Sequence, residues 1–376
     1  MHLSFHPLEV VSVERTAEDA VCLTLSIPPA LRERFLHHAG QYISVRRPID
    51  GVEERRTYSI VTAPGGSVIR LGVREQTGGR MSGELARRLR PGDTLDVGTP
   101  VGRFRTAVDP ARALSYVALA SGSGITPVLS LATDILAREP QSRVTLIYGN
   151  RNTARTMFLE ETLALKNRYI GRFSVYFVMS REPQHAALMN GRIDAAKVEA
   201  MAREIPGIAS ADEYFVCGPG GMVDEVRDAV RRLNAEAPIR LERFAAAAPS
   251  AAATPSAAVT PTAAGLPMAA AAGHAPEADV RDVLATVSVV MDGRRRSFFM
   301  APTDASVLDA AERAGLELPF SCRSGICATC RTRIVAGEAD MTHNIALEPW
   351  EIDAGFVLCC QARPTTPSLE LSYDEK

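Results

Sequence analysis

The sequence predicts a chain of three folded parts: an antiparallel β half, a doubly wound parallel α/β half, and a small α+β domain joined to them by a tether. Three observations predict this. Short β-rich runs without long helices between them fill residues 1–107, strands and helices then alternate over residues 108–244, and a hairpin, a short helix and a cysteine loop follow a stretch made almost wholly of Ala, Pro, Ser and Thr. At 376 residues the chain can bury two or three separate cores.

Composition narrows the class. Apolar residues make up 46% and charged residues 23%, ordinary for a globular protein. A net charge of −2 suggests neither nucleic acid nor an anionic membrane as partner. No apolar run reaches membrane-spanning length, and Met1-His2-Leu3-Ser4-Phe5-His6 lacks the regions of a signal peptide. Of seven cysteines, four stand at ligand-like spacing, which argues for a reducing, cytoplasmic location over a disulfide framework.

In residues 1–107 the β-rich runs are Leu8–Val13, Ala20–Ile27, Gln41–Val45, Thr57–Thr62, Ser67–Val73 and Thr94–Val97. Turn formers such as Pro28-Pro29, Asp50-Gly51 and Pro91-Gly92-Asp93 separate them, which reads as an antiparallel barrel or sandwich. Within it, Arg55-Arg56-Thr57-Tyr58-Ser59-Ile60 places Arg56 and Tyr58 on one face of a strand. Arg can clamp a pyrophosphate, Tyr can lie on a flat ring, and Ser can donate to a ring nitrogen. An exposed polar strand edge would read the same way. Downstream comes Gly78-Gly79-Arg80-Met81-Ser82, with Ser82 expected to cap a short helix through Leu85 and Leu89. A helix start preceded by glycines is a ready anion site. The two motifs together resemble the FAD-binding barrel of the ferredoxin–NADP reductase family. The resemblance implies that Arg56 holds the FAD pyrophosphate, Tyr58 covers the isoalloxazine and Ser59 approaches its reacting nitrogen. Gly79, Arg80, Met81 and Ser82 would complete the phosphate site.

In residues 108–244 the strands Ser115–Ala120, Val144–Tyr148, Phe173–Met179 and Glu213–Cys217 alternate with helices, as in a parallel doubly wound sheet. Ligands of such sheets bind at the carboxyl ends of the strands. Both glycine runs fall there: Gly122-Ser123-Gly124-Ile125-Thr126-Pro127 after the first strand, and Gly218-Pro219-Gly220-Gly221 after the last. Gly122 and Gly124 would admit dinucleotide phosphates, Thr126 would add a donor, and Pro127 suits the first helical turn. The second strand ends Tyr148-Gly149-Asn150-Arg151 without the acid typical of NAD sites, and the third ends Ser180-Arg181. Two arginines suit a ribose 2′-phosphate, so NADPH is expected in preference to NADH; either could be a solvated loop charge. Cys217 is either a plain buried thiol or, as the family resemblance implies, a contact of the nicotinamide where hydride crosses to flavin. The same resemblance carries Glu242 and Phe244 towards the flavin.

Residues 245–279 carry no amphipathic period, and a flexible linker is expected. Residues 280–376 hold Cys322, Cys327 and Cys330 in a C-x4-C-x2-C loop, with Cys360 after 29 further residues. This is the spacing of a [2Fe–2S] cluster site. The alternative, structural zinc, usually pairs two short clips, and Cys360 has none. Cys359 beside it is expected to be a bystander, because neighbouring strand residues point to opposite faces. Trp350 is expected to be a packing residue. The loop and its flanks resemble a plant-type ferredoxin, which implies a β-grasp domain.

The order of the parts resembles the reductase subunits of multicomponent oxygenases. Tyr148-Gly149-Asn150-Arg151, Met157-Phe158-Leu159-Glu160-Glu161 and Ala346-Leu347-Glu348-Pro349-Trp350-Glu351 narrow the resemblance to those serving phenylacetyl-CoA 1,2-epoxidases. Reductases of ring-hydroxylating or steroid hydroxylases share the layout. The family implies electron flow from NADPH through FAD and [2Fe–2S] to a separate oxygenase component, a multisubunit di-iron epoxidase in the narrower reading. A passive redox carrier or sensor is the reading of another class.

Overall fold

A computed structural model describes residues 4–244 and 283–375. The linker expected over 245–279 lies outside them.

Six strands form the first sheet: β1 (Phe5–Ala17), β2 (Ala20–Ser26), β3 (Tyr42–Ile49), β4 (Val52–Ser59), β5 (Val68–Arg74) and β6 (Thr94–Gly98). All its ladders are antiparallel, in the order β4-β3-β6-β1-β2-β5. An Ile60–Leu71 bridge joins the end of β4 to β5, so the sheet curls back on itself. Its interior is filled by side chains such as Leu8, Leu23, Leu25, Ile43, Ile60 and Leu71. Helix α1 (Arg80–Arg87) starts three residues earlier than predicted, with Gly79 as its N-cap. Ser82 does not cap it. Its hydroxyl accepts the Gln76 amide at 3.0 Å and so pins the turn that leads into the helix.

The second sheet is wholly parallel: β7 (Ser115–Ser121), β8 (Arg143–Asn150), β9 (Phe173–Met179), β10 (Glu213–Pro219) and β11 (Ile239–Phe244), in the order β11-β10-β7-β8-β9. Helices α2 (Ile125–Arg138), α3 (Leu159–Arg168), α4 (Ala195–Glu204) and α5 (Gly220–Leu233) connect the strands. The order reverses between β7 and β10, the switch point at which a crevice opens. One apolar cluster runs from the barrel (Cys22, Phe104) into this sheet (Tyr148, Phe215, Cys217), so the two halves share a core. Gly72 in β5 makes the approach possible, since a Cβ there would lie 2.5 Å from a Thr126 methyl and 2.8 Å from the Phe158 ring. Arg70 and Glu161 clamp the same interface with paired contacts of 2.7 and 3.0 Å.

The third sheet joins β12 (Ala285–Met291), β13 (Arg294–Met300), β14 (Arg331–Ala336), β16 (Phe356–Leu358) and β18 (Ser368–Ser372), in the order β13-β12-β18-β14-β16. Helix α6 (Val307–Arg313) buries Val307, Leu308, Ala310 and Ala311 in its core. Two short elements complete the domain. Ala339–Met341 forms β15, paired with β17 (Ala362–Pro364), and Pro349–Asp353 forms helix α7. Helix α7 is set by a capping box between Glu348 and Glu351. Trp350 is not a packing residue. It is 61% exposed, because the helix turns its neighbour Glu351 inward.

Candidate active site

The register of β4 on β3 pairs Arg56 with Val45, Tyr58 with Ile43 and Ser59 with Tyr42. Arg56 and Tyr58 therefore share one face and Ser59 takes the other. The Arg56 guanidinium meets Glu54 Oε2 at 2.9 Å, and Arg80 approaches the other oxygen of that carboxylate at 3.4 Å. Two guanidiniums converging on one anionic group beside the first turn of α1 are a donor set that fits a pyrophosphate. Gly79 keeps that turn open, since a Cβ there would stand 2.5 Å from Ser82 Oγ. Met81 is a barrel-core residue at 1% exposure, so it supports this turn from behind. Ser44, opposite Thr57 on the neighbouring strand, carries a buried hydroxyl without a partner. It lies on the Ser59 face of the ladder, opposite to Arg56 and Tyr58.

Both glycine runs flank the switch point. Gly122 has φ +56°, and a Cβ on Gly124 would lie 2.2 Å from the Cys217 carbonyl oxygen. The α2 start is thus pressed directly onto the end of β10, where any side chain at 124 would force them apart. Gly218 is equally enclosed, 2.9 Å from the Met222 sulfur by the same measure. Pro127 falls in the first turn of α2, where it costs no hydrogen bond. Thr126 departs from expectation. Its hydroxyl donates to the Ser123 carbonyl at 2.9 Å, so it shapes the glycine loop and offers no free donor.

Cys217 pairs in register with Glu242 on β11, and Phe244 at the same strand end packs against the shared core. Ser59 reaches across from the barrel to donate to Glu242 Oε1 at 3.0 Å. Desolvation pushes the Glu242 carboxyl up to about 7 despite the Ser59 hydrogen bond, and it pushes the Cys217 thiol well above its ordinary value. Burial thus holds Cys217 as a neutral thiol. At the far end of the crevice, the Arg181 amide bonds to the Arg151 carbonyl at 2.8 Å and the Ser180 amide to Asn150 at 2.9 Å. The two arginine side chains are exposed.

Cys322, Cys327, Cys330 and Cys360 are all free thiols. Among the described residues, no group of three His, Cys, Asp or Glu closes on a single metal-ion position. The four thiols are linked pairwise instead. The Cys322 thiol is held below its usual range by its neighbours Cys327 and Cys360, and the Cys360 thiol is raised beside Cys322 and Cys330. Amides of Ser324 and Ile326 point at the Cys322 sulfur at 3.4 and 3.5 Å. A sulfur already receiving amide hydrogen bonds fits a cluster thiolate. Gly325 has φ +71°, and a Cβ there would meet the His343 carbonyl oxygen at 2.5 Å. Cys359 is wholly buried, its thiol raised by burial, while the neighbouring Cys360 turns to the other ligands.

The motifs missed the surface that joins the parts. Tyr42 reaches the cluster loop, and Arg55 lies 4.3 Å over the Phe320 ring. Arg243 binds Glu348 at 2.9 Å. Glu351, fully buried, takes Arg103 and Arg331 together, the latter at 2.8 Å. The residues are ordinary surface types in sequence, and only alternating Arg and Glu positions hint at pairing.

A barrel with an anion-holding helix start, a dinucleotide crevice opening on its rim, and four converging thiols define a flavin- and iron–sulfur-dependent NAD(P)H oxidoreductase. Residues 7–106 match the oxidoreductase FAD-binding domain family, 118–228 the oxidoreductase NAD-binding domain family, and 289–365 the 2Fe-2S iron-sulfur cluster binding domain family. The chain is 35% identical to the E subunit of 1,2-phenylacetyl-CoA epoxidase of Escherichia coli over 99% of both chains. It is 29% identical to the ferredoxin reductase component of 3-ketosteroid-9-alpha-monooxygenase of Rhodococcus rhodochrous, over 96% of this chain and 94% of that one. In fold it resembles phthalate dioxygenase reductase at a TM-score of 0.55 and 23% identity, covering 98% of each chain. The chain belongs to the family of reductases that includes the E subunit of phenylacetyl-CoA epoxidase. Among the described residues, no helix is long and apolar enough to cross a membrane.

Proposed function

We propose that this chain is the NADPH-oxidising reductase subunit of a phenylacetyl-CoA epoxidase, delivering electrons to a separate di-iron oxygenase component. One observation carries the reading: end-to-end similarity to the E subunit of such an epoxidase, with every cofactor motif in the same chain. When bound, FAD takes two electrons as hydride and releases them singly, and a [2Fe–2S] cluster carries one at a time, so the pair turns a hydride donor into a one-electron source.

The protein's part is placement. Arg56 and Arg80 hold the flavin's pyrophosphate, and Tyr58 covers its ring. Cys217, backed by the Gly124 contact, forms the wall against which nicotinamide lies, and its neutral thiol adds no charge there. The Ser59 hydroxyl donates to Glu242 Oε1 and holds that carboxyl beside this wall. Arg151 and Arg181, exposed at adjacent strand ends, favour a 2′-phosphate and hence NADPH over NADH. Cys322, Cys327, Cys330 and Cys360 hold the cluster.

Service to a steroid or ring-hydroxylating oxygenase is the second reading, favoured by the collinear 3-ketosteroid-9-alpha-monooxygenase reductase. A passive carrier or sensor would need no nicotinamide crevice. Reconstitution decides. Mixed with the other epoxidase components, phenylacetyl-CoA and NADPH, the chain should drive oxygenated product. A preparation that reduces ferricyanide with NADPH yet supports only a steroid or ring-hydroxylating oxygenase would overturn the epoxidase assignment.

A further inference from the structure

The ferredoxin domain meets the barrel through a residue that no cofactor motif contains. Tyr42, the first residue of β3, donates its hydroxyl to the Cys327 carbonyl oxygen at 2.5 Å and lies 3.3 Å from Thr329 Oγ1. That threonine oxygen in turn lies 3.2 Å from the Cys327 sulfur. On the barrel side, Tyr42 stands directly opposite Ser59, so the two side chains share a face. Ser59 holds Glu242, which neighbours Cys217 across the β10–β11 ladder. Contacts therefore run from the wall of the nicotinamide crevice, along the face that carries Ser59, to a cysteine of the cluster loop. Of the other links between the parts, Arg103 to Glu351 and Arg243 to Glu348 fasten helix α7 and its cap, and Arg55 stacks on Phe320 ahead of the cysteine loop, whereas Tyr42 reaches the Cys327–Thr329 segment of the loop itself.

We propose that Tyr42 is a positioning residue for transfer from flavin to cluster. Its hydroxyl holds the Cys327–Cys330 end of the loop against the flavin wall and so sets the separation an electron must cross. Tyr42 is neither oxidised nor reduced. The proposal rests on the assignment of Tyr58 and Ser59 to the flavin.

The test is Tyr42→Phe in the full-length holoprotein, which removes the hydroxyl and keeps the ring that packs. Amide exchange over residues 326–331 should speed up by about threefold to tenfold, the range of one net hydrogen bond. Flavin-to-cluster transfer after rapid mixing with NADPH should slow by a similar factor. Flavin content, the hydride step, ferricyanide reduction and the cluster's electron paramagnetic resonance spectrum should not change. Unchanged loop exchange together with unchanged flavin-to-cluster transfer would overturn the proposal, leaving Tyr42 as filling alone. Loss of flavin or of the hydride step would overturn it too, by placing the hydroxyl in the flavin site. Failure of the flavin assignment shows separately, as full flavin retention in Arg56→Ala.

Discussion

At the scale of single residues, two positions hold the site by opposite means. Gly124 works by having no side chain: Gly124→Ala would drive a methyl to 2.2 Å from the Cys217 carbonyl. Overpacking of this kind costs about 1–3 kcal/mol. The variant should melt lower in calorimetry and show a higher KM for NADPH, with the cluster spectrum unchanged. Glu242 works by its enclosure, which raises its carboxyl from the ordinary 4.5 to about 7. Between these values the folded chain holds a proton that the unfolded chain has released. Stability from this group is therefore full below about 4.5 and declines as pH rises through about 7. Denaturant titrations of the apoprotein should show this decline, and Glu242→Gln should remove it. A variant that keeps the same slope would show that another group is responsible. The glycine run was legible in sequence as a phosphate loop, but its pressure on Cys217 was not, because those residues lie 93 positions apart and meet only across the sheet.

At the scale of elements, the alternation of strands and helices in residues 108–244 carried the parallel sheet, because a parallel pair needs a crossover and a helix supplies it. It also put Arg151 and Arg181 just beyond neighbouring strand ends, where the Arg181 amide bonds to the Arg151 carbonyl past the last β8–β9 pair, Asn150 with Met179. The double substitution Arg151→Ala, Arg181→Ala should lower kcat/KM for NADPH by about 10²-fold, as expected from two charge-assisted hydrogen bonds, while NADH is little affected. Steady-state kinetics with both coenzymes check it. Short elements were less legible. Helix α7 escaped notice because Leu347-Glu348-Pro349-Trp350-Glu351 offers too few residues for a period. A local capping box starts it, and tertiary contacts of Glu351 complete it. Burial alone would raise the Glu351 carboxyl, but hydrogen bonds from Arg103 and the Glu348 amide outweigh it and hold the carboxyl below its ordinary value. Ser82 differs from a cap for a similar reason: its hydroxyl had two local uses, and the turn at Gln76 took it.

At the scale of the whole molecule, the ferredoxin is fastened to the reductase half largely by polar contacts, in contrast to the shared apolar core that welds barrel to α/β sheet. Polar fastening suits a part that must also serve an external acceptor, since such contacts exchange readily for water. Removing Arg103 leaves the buried Glu351 with the Arg331 guanidinium and the Glu348 amide, both from its own domain, so Arg103→Ala should weaken docking by about 1.5–3 kcal/mol. Small-angle scattering should then give a larger radius of gyration, and cytochrome c reduction should fall relative to ferricyanide reduction. An unchanged radius and an unchanged ratio would mean that other contacts hold the domain. Local chemistry was enough to read the cofactor set, because hydride, flavin and iron–sulfur sites each demand particular residues at short spacing: Arg56 with Tyr58, Gly122 with Gly124, and Cys322, Cys327 and Cys330. How those sites face one another was decided only by the folded chain. Tyr42, Arg103 and Glu351 are ordinary in their own neighbourhoods, and contacts between residues hundreds of positions apart leave no periodic trace along a sequence.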